Sequence, residues 1–462
     1  MRRTSLIAAA LMTFAANAVG QTPPARSVVG TQSGPVETAQ PPAPSELHLT
    51  LDHAIHDATT TAPVLQAVTA QEQAARWRAV ATSRSRFGQA DAVASYSRFQ
   101  DDQIVRPMGL QLFGPMGFSA LPWDRDQAHY GVTYQLPLYQ GGRLAASIAL
   151  SALQADQAAL VVSGTRWDLQ ANVTALYTTR QSLDHLTVAT RENLRALEAT
   201  EQRVTLMVQQ GRRPNLDLLK IQDEVQAARA QASALTADIA RVDALLLAAT
   251  GRDPGSVALV IDALPDREPH LVIDDGAVVR LAAGSSPVQR ATLGVEQAQE
   301  GTRLARGARY PTLALRGTVM GNAGLSLGEQ FGTWELSVVT SVPVFDGGTR
   351  AAGVAGAKAA ERAAASTLTR TRLEREAQAV DALARFRASQ DAVLSARARV
   401  TSATEAARIE QVRYDQGAGT VEDLLRARAR ELAARSALAQ AQGGRVAAAA
   451  QINALCEKEV VQ

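Results

Sequence analysis

One signature occurs twice in this chain at a fixed spacing, and that duplication restricts its folds more than any other feature. Leu136-Pro137-Leu138-Tyr139-Gln140-Gly141-Gly142 returns 206 residues later as Val342-Pro343-Val344-Phe345-Asp346-Gly347-Gly348. At the same offset Gly211, Asp217, Leu218, Leu219 and Lys220 return as Gly417, Asp423, Leu424, Leu425 and Arg426, so 69 residues separate the glycine pair from the later glycine in both halves. A looser correspondence relates Ala54, Ala58, Pro63 and Glu72 to Val278, Ala282, Pro287 and Glu296 at an offset of 224. The extra length of the first half falls mainly between Phe87 and Pro137. Motifs that share one spacing mark a duplicated architecture, which must be recognised before local preferences are read.

Each 69-residue interval lacks proline and reads as helix. From Arg143 to Gln209 the residues Val162, Leu169, Leu176, Leu183, Leu197 and Val204 lie on one seven-residue grid, with Thr190 in its remaining place. Phe386, Val393, Val400 and Ala407 keep the same period in the second half. At 1.5 Å per residue such a helix reaches about 100 Å, longer than any ordinary domain. Gly211 to Asn215 and Gly417 to Thr420 then supply turns, and the chain returns antiparallel over Pro214 to Thr250 and Thr420 to Ala454. Alanine-rich faces such as Ala145, Ala146, Ala149 and Ala152 suit both close helix approach and simple helix propensity.

Before each glycine pair the period falls to two. Ala128, Tyr130, Val132, Tyr134, Leu136 and Leu138 alternate with polar or small residues, as do Trp334, Leu336, Val338 and Val342. Their expected hairpin partners are Ala90 to Phe99 and Thr312 to Val319, each about ten residues, the length that crosses a bilayer at a tilt. Of 19 Phe, Trp and Tyr residues, 13 lie within Phe87 to Tyr139 or Tyr310 to Phe345, where a membrane barrel would carry its interfacial girdles. A soluble sandwich would also concentrate aromatics in strands, so this census leaves both open.

Composition narrows the function. The chain is 46% apolar but only 4% aromatic, with a formal charge of +2 that falls to zero once Arg2 and Arg3 leave with an export signal. A polyanion partner such as nucleic acid therefore has no electrostatic footprint. Residues 1–20 read as that signal, with an apolar stretch from Leu6 to Ala16 and cleavage after Ala18 or Gly20. Residues 21–45, rich in Pro, Ala, Ser and Thr, read as a flexible leader. The lone Cys456 excludes an intramolecular disulfide, and no cysteine near the cleavage site could take a lipid anchor. Beyond the signal no uninterrupted apolar run of 18 residues occurs, so no helix is expected to cross a bilayer.

Leu49 to Ile55 (Leu-Thr-Leu-Asp-His-Ala-Ile), the two strand-end signatures and the doubled Gly-x5-Asp-Leu-Leu turns carry a family likeness. From about Leu47 onward the chain resembles a TolC-type outer membrane efflux protein. The resemblance implies an α+β membrane protein with an internal two-fold repeat: a homotrimer in the outer membrane of a Gram-negative bacterium, each subunit giving four transmembrane strands to a 12-stranded barrel and long antiparallel helical hairpins to a periplasmic tunnel. The first repeat would span 46–250, an equatorial segment 251–286 and the second repeat 287–456. The β-hairpins are expected at about 88–139 and 311–345, and the helical hairpins at about 143–250 and 349–454. Loops at Asp101 to Asp126 and Asn322 to Gly328 would face the exterior.

That likeness also implies partners and site residues. A periplasmic adaptor would dock at the helical turns, Gly211, Pro214, Gly417 and Gly419, and an inner-membrane pump would supply energy. Pro137, Gly141, Gly142, Pro343, Gly347 and Gly348 mark a swivel from barrel to tunnel, or a generic strand-to-helix turn. Asp217, Asp423 and Tyr414 match family positions that hold the inner end shut, although each Asp equally suits a helix start. Gly419 stands where an arginine can act as a latch, and Arg426 where a second acidic residue can sit; Arg213, with Arg212, could compensate. His53 and His56, between Asp52 and Asp57, lack further metal ligands and read as a solvated helix face. Neither glycine pair has a phosphate-loop context, and no nucleophile elbow or zinc-protease motif occurs. No cofactor and no enzyme activity are expected, and the rival reading is a periplasmic coiled-coil adaptor or scaffold.

Overall fold

The computed structural model describes residues 45–105, 121–254, 257–263 and 268–461. The expected export signal, the leader up to residue 44 and the loop residues Gly109, Gly114, Pro115 and Gly117 lie outside the described residues.

In chain order the elements are β1 (Ser45–Leu49), α1 (Leu51–Thr61), α2 (Pro63–Arg84), β2 (Gln89–Ile104), β3 (Trp123–Tyr139), α3 (Arg143–Gln209) and α4 (Asn215–Ala249). They continue as β4 (Val257–Ile261), α5 (Asp275–Ala282), α6 (Ser286–Gly307), β5 (Thr312–Gly324), β6 (Glu329–Ser341), α7 (Thr349–Asp415) and α8 (Val421–Cys456). Helices α3 and α7 are 67 residues each, so the repeat extends to element length. Local chemistry sets several boundaries. Thr50 caps α1 by accepting from the His53 N–H at 3.2 Å, and Pro63 opens α2 with a φ suited to a first helical turn.

The helices form a single row. In the half nearer the helical turns the neighbours run α4, α3, α8, α7; in the half nearer the sheet they run α2, α3, α6, α7. Thus α3 and α7 run the full length, while two shorter helices abut end to end in each of the other columns. At the α4–α2 joint the Thr61 hydroxyl donates to the Thr250 carbonyl at 3.0 Å and Arg252 pairs with Asp57 at 2.8 Å. At the α8–α6 joint the Glu457 carboxylate accepts from the Ser286 N–H at 2.9 Å and its hydroxyl at 2.6 Å, satisfying a donor that helix α6 leaves free. Glu457 has φ +50°, and Gly251, its image 206 residues earlier, has φ +78°. Both repeats therefore leave their return helix through the left-handed region.

Two cores flank these joints. Leu49, Ala54, Ala58, Val173, Tyr177, Leu246 and Leu247 form one, and Val278, Ala282, Ala379, Leu383, Phe386 and Ile452 belong to the other. The second largely images the first, Ala379 replacing Val173 and Leu383 replacing Tyr177. One image pair changes chemistry: Arg180 and Asp243, joined at 2.6 Å in the first repeat, become Phe386 and Ala449 in the second, both buried. Around the joints β1 pairs in parallel with β4, and Leu271 bridges to Val461.

The remaining strands form one antiparallel sheet in the order β2-β3-β5-β6. Its rows alternate in character as a pleat requires. Ala92, Val132, Val319 and Trp334 share one row, while the adjacent row on the other face is Asp91, Thr133, Thr318 and Glu335. All four strands outrun the expected length: β2 continues to Ile104, β3 begins at Trp123, β5 continues to Gly324, into the loop expected at Asn322 to Gly328, and β6 begins at Glu329. Pairs such as Gln103 with Asp124 beyond a register shift and Asn322 with Phe331 carry the extensions, which apolar alternation does not reveal. Conversely β6 stops at Ser341, because Pro343 has no N–H to continue the ladder. Pro137 instead sits inside β3, where the register shifts between Pro137 and Tyr139. A window within α3 is long and apolar enough to cross a membrane by length and composition alone, although polar residues interrupt it and no uninterrupted apolar run is present there.

Candidate functional site

Three regions concentrate the singled-out residues: the sheet faces, the sheet-to-helix turns and the helix-to-helix turns. On one sheet face Tyr130, Val132, Val319, Trp334, Leu336 and Val338 are exposed. The other face carries a polar chain: His129 Nδ1 lies 2.8 Å from Asn322 Oδ1, and the Asn322 amide donates to the Thr333 hydroxyl at 3.0 Å. An apolar outside and a hydrogen-bonded inside are what a lipid-facing wall around water requires. Strands β2 and β6 pair on one side only among the described residues.

At the sheet-to-helix turns Gly141, Gly142, Gly347 and Gly348 have φ of +62°, +80°, +63° and +88°, a region that side chains rarely adopt. The glycine pairs are thus backbone requirements. In the second turn the Asp346 carboxylate accepts from the N–H groups of Arg350 at 2.9 Å and Gly348 at 3.0 Å. These bonds, that of Arg350 foremost, hold its carboxyl below the usual carboxylate range.

The helix-to-helix turns bring the expected inner-end residues together. Gly211 and Gly417 take φ +71° and +81°, and each helix closes on reverse bonds, Arg212 N–H to the Met207 carbonyl at 2.8 Å and Ala418 N–H to that of Arg413 at 2.9 Å. Pro214 is the residue before α4, with Asp217 in its first turn. Thr420 caps α8: its hydroxyl accepts from the Asp423 N–H at 3.1 Å and donates to the Asp423 carboxylate at 2.7 Å, a reciprocal cap. Gly419 donates its N–H to the Arg413 carbonyl at 3.1 Å, so it shares the α7 end rather than presenting a side chain.

Arg213 crosses from the first turn to the second. Its guanidinium lies 4.6 Å from the centre of the Tyr414 ring and donates to the Tyr414 carbonyl at 3.0 Å, while Asp217 lies 3.9 Å away. Tyr414 is 2% exposed, its hydroxyl has no hydrogen-bond partner among the described residues, and burial pushes its pKa up. It sits in a core with Leu197, Val204, Ile221, Val225 and Leu424 that spans both hairpins. Sequence reading missed two further links, Arg203 to Asp415 at 3.3 Å and Lys220 to Glu422 at 3.6 Å. Arg426 pairs with Glu422 at 3.2 Å and lies 3.7 Å from Asp423. A cavity of about 700 Å³ runs between α7 and α8 beside Asp423, Arg426, Arg430 and Arg399.

His53 and His56 are exposed on α1, and among the described residues no group of three His, Cys, Asp or Glu is placed to hold a metal.

Comparison with known proteins agrees with this geometry. Residues 278–456 match the outer membrane efflux protein family. The fold of both repeats is shared with solved structures. The outer membrane protein VceC of Vibrio cholerae has a TM-score of 0.73 at 18% identity, covering 88% of this chain and 96% of its own. The CmeC outer membrane channel of Campylobacter jejuni gives 0.76 at 16% identity, covering 89% and 86%. The Neisseria gonorrhoeae MtrE channel, in an open state, gives 0.70 at 19% identity, covering 89% of each. No curated protein matches the sequence.

Proposed function

We propose, from the premise that this chain is a TolC-type outer membrane efflux protein, that it forms the passive exit duct of a tripartite efflux or type I secretion assembly in the outer membrane of a Gram-negative bacterium. The observation that carries the reading is the sheet. Four antiparallel strands with an apolar face, a polar face and two free edges cannot stand alone in lipid, where each unpaired main-chain group costs several kcal/mol. Three copies supply twelve strands and remove every edge. The rows of long helices then extend the cylinder into the periplasm, and substrates pass along its polar interior. An adaptor engages the turns at Gly211, Pro214, Gly417 and Gly419, and an inner-membrane pump supplies energy. The chain itself catalyses no reaction.

In this reading the helix-to-helix turns form the inner gate. Asp217, Tyr414, Arg213, Asp423 and Arg426 hold it, with Arg213 taking the latch place that Gly419 leaves empty and Arg426 offsetting the charge of Asp423. Pro137, Gly141, Gly142, Pro343, Gly347 and Gly348 let strands turn into helices at the swivel. A periplasmic adaptor or scaffold would share the long hairpins but has no use for two strand hairpins with one exposed apolar face. Purified chain reconstituted into planar bilayers is expected to give stepwise conductance from a trimeric species. A chain that remains monomeric in buffer without detergent refutes the duct.

A further inference from the structure

Helix phase distinguishes the two faces of the row. The equatorial elements share one face: α5 lies over Val380 and Arg387 of α7, and one groove joins Ile55 of α1, Val461 from the core beneath α5, and Val446 and Asn453 of α8. A face that carries that bulk cannot line an open passage, so in the proposed duct it is the outer one. The seven-residue period carries each phase along its helix. Positions 380 and 387 continue through Leu394, Thr401 and Arg408, and positions 453 and 446 run back through Ala439, Leu432 and Leu425. Five residues on from each, about 150° around a helix of 3.5 residues per turn, lies the opposite stripe. On α7 it reads Arg385, Ala392, Arg399, Ala406 and Arg413, and on α8 Asp423, Arg430, Ala437 and Gly444. The inward stripe thus carries four arginines against one carboxylate.

Two of those arginines are uncompensated. Arg399 and Arg430 wall the cavity of about 700 Å³ between α7 and α8; both are exposed, and neither makes an ion pair among the described residues. The carboxylates beside them are already engaged. Glu410 pairs with Arg413 at 2.8 Å, and Asp423 accepts from the Thr420 hydroxyl and lies 3.7 Å from Arg426. The images of Arg399 and Arg430 in the first repeat are Asn193 and Glu224, so the first hairpin has no counterpart to this charge. Around the guanidinium groups the lining is methyl: Ala398, Ala403, Ala406, Ala427 and Ala434. A guanidinium offers paired N–H donors to an oxyanion, and alanine methyls offer an apolar body a surface that excludes water.

We propose that Arg399 and Arg430 form an anion-selecting station in the duct. Its cargo is a small organic anion, an oxyanion head group on an apolar body, which passes with its head on the guanidinium groups and its body along the alanines. Copies arranged about the duct axis bring these stations to one level and focus a positive field across the passage, which draws in anions and repels cations. Exposure of both side chains to water keeps the contact weak enough for release, as conduction requires. The proposal rests on the duct reading and adds to it a substrate class.

Full-length protein in planar bilayers under a KCl gradient tests it. The reversal potential is expected on the chloride side, and naphthalenesulfonate is expected to interrupt the current where the cation naphthylmethylammonium does not. Arg399→Ala with Arg430→Ala is expected to move the reversal potential toward potassium and to weaken the sulfonate block by about tenfold, as loss of charge-assisted contacts shared with water would do. Alanine suits an exposed helix position, and Arg399→Gln with Arg430→Gln gives the same shift should the first double variant fail to assemble. Arg408→Ala, on the outer stripe, is expected to leave both readings unchanged. Stepwise conductance that prefers potassium, double variants that match the parent, or an Arg408→Ala effect as large as theirs overturns the station and leaves the duct standing. Absence of any conductance step overturns both.

Discussion

In the duct proposed above, opening the inner gate parts the two helical turns, and Arg213 is one of three side chains, with Arg203 and Lys220, that cross between the hairpins. Replacing Arg213 with Ala removes a cation–π contact worth about 1 kcal/mol in a partly covered site. It also removes a charge-assisted bond to a carbonyl, worth about 1.5–3 kcal/mol. Arg213 and Asp217 keep side-chain exposures of only 18% and 17%, so water recovers part of the loss, and a net of about 2 kcal/mol remains. That shifts the balance between closed and open turns by about 30-fold per subunit, since 1.4 kcal/mol is tenfold. Tyr414→Phe behaves in the opposite sense. The Tyr414 hydroxyl is buried without a partner among the described residues, a situation that costs about 1–3 kcal/mol, so its removal is expected to leave the turns as tightly held or tighter. Single-channel recording reads both: Arg213→Ala raises the time spent in conducting states, and Tyr414→Phe does not. The reverse pattern, with Tyr414→Phe opening the channel and Arg213→Ala silent, would falsify a latch built on ring stacking.

Three further outcomes follow from the fold. Gly141→Ala places a Cβ against the Gly307 carbonyl at a φ of +62° and is expected to cost at least about 2 kcal/mol, whereas Gly211→Ala, in open space, bears only the left-handed strain of about 1 kcal/mol; thermal unfolding ranks them. Asp243→Ala strands the buried Arg180 with only Asp184 and is expected to cost about 3 kcal/mol, while Arg180→Phe combined with Asp243→Ala, the pair that the second repeat uses, restores most of it in denaturant unfolding. Because the Asp346 carboxyl is held below its ordinary value of 3.8, its cap on α7 is fully present above that pH and is lost as pH falls through the lower folded value. Hydrogen exchange at the Gly348 and Arg350 amides should accelerate relative to neighbouring α7 amides only in that acidic window, and Asp346→Asn should abolish the pH dependence.

Much of this architecture was legible because the duplicated signatures mark places where the backbone has few alternatives. A left-handed turn needs glycine, so Gly141, Gly142, Gly347, Gly348, Gly211 and Gly417 announce the ends of strands and helices directly. The seven-residue grid was legible for a similar reason: Leu169, Thr190, Leu197 and Val204 are buried, and Tyr414 continues the grid of Phe386, Val393 and Ala407. Contacts across hairpins were not legible. Arg213 and Tyr414 are 201 residues apart, and periodicity describes one helix at a time. The substitution of Phe386 and Ala449 for Arg180 and Asp243 was hidden likewise, because a charged pair and an apolar pair fill the same space while sharing no sequence pattern. Strand ends failed where pairing continued past the apolar alternation, as in β2 beyond Phe99.

The broken columns have a consequence for reach. Both joints, α4 on α2 and α8 on α6, lie on the sheet side of the four long limbs that end in the turns. Seven residues added to each of those limbs would keep every apolar stripe in phase and lengthen the cylinder by about 10 Å, without touching a strand, a swivel or a joint. In the duct proposed above, the helical cylinder is in effect an extensible ruler, and a relative built for a wider periplasm needs only matched insertions below the joints.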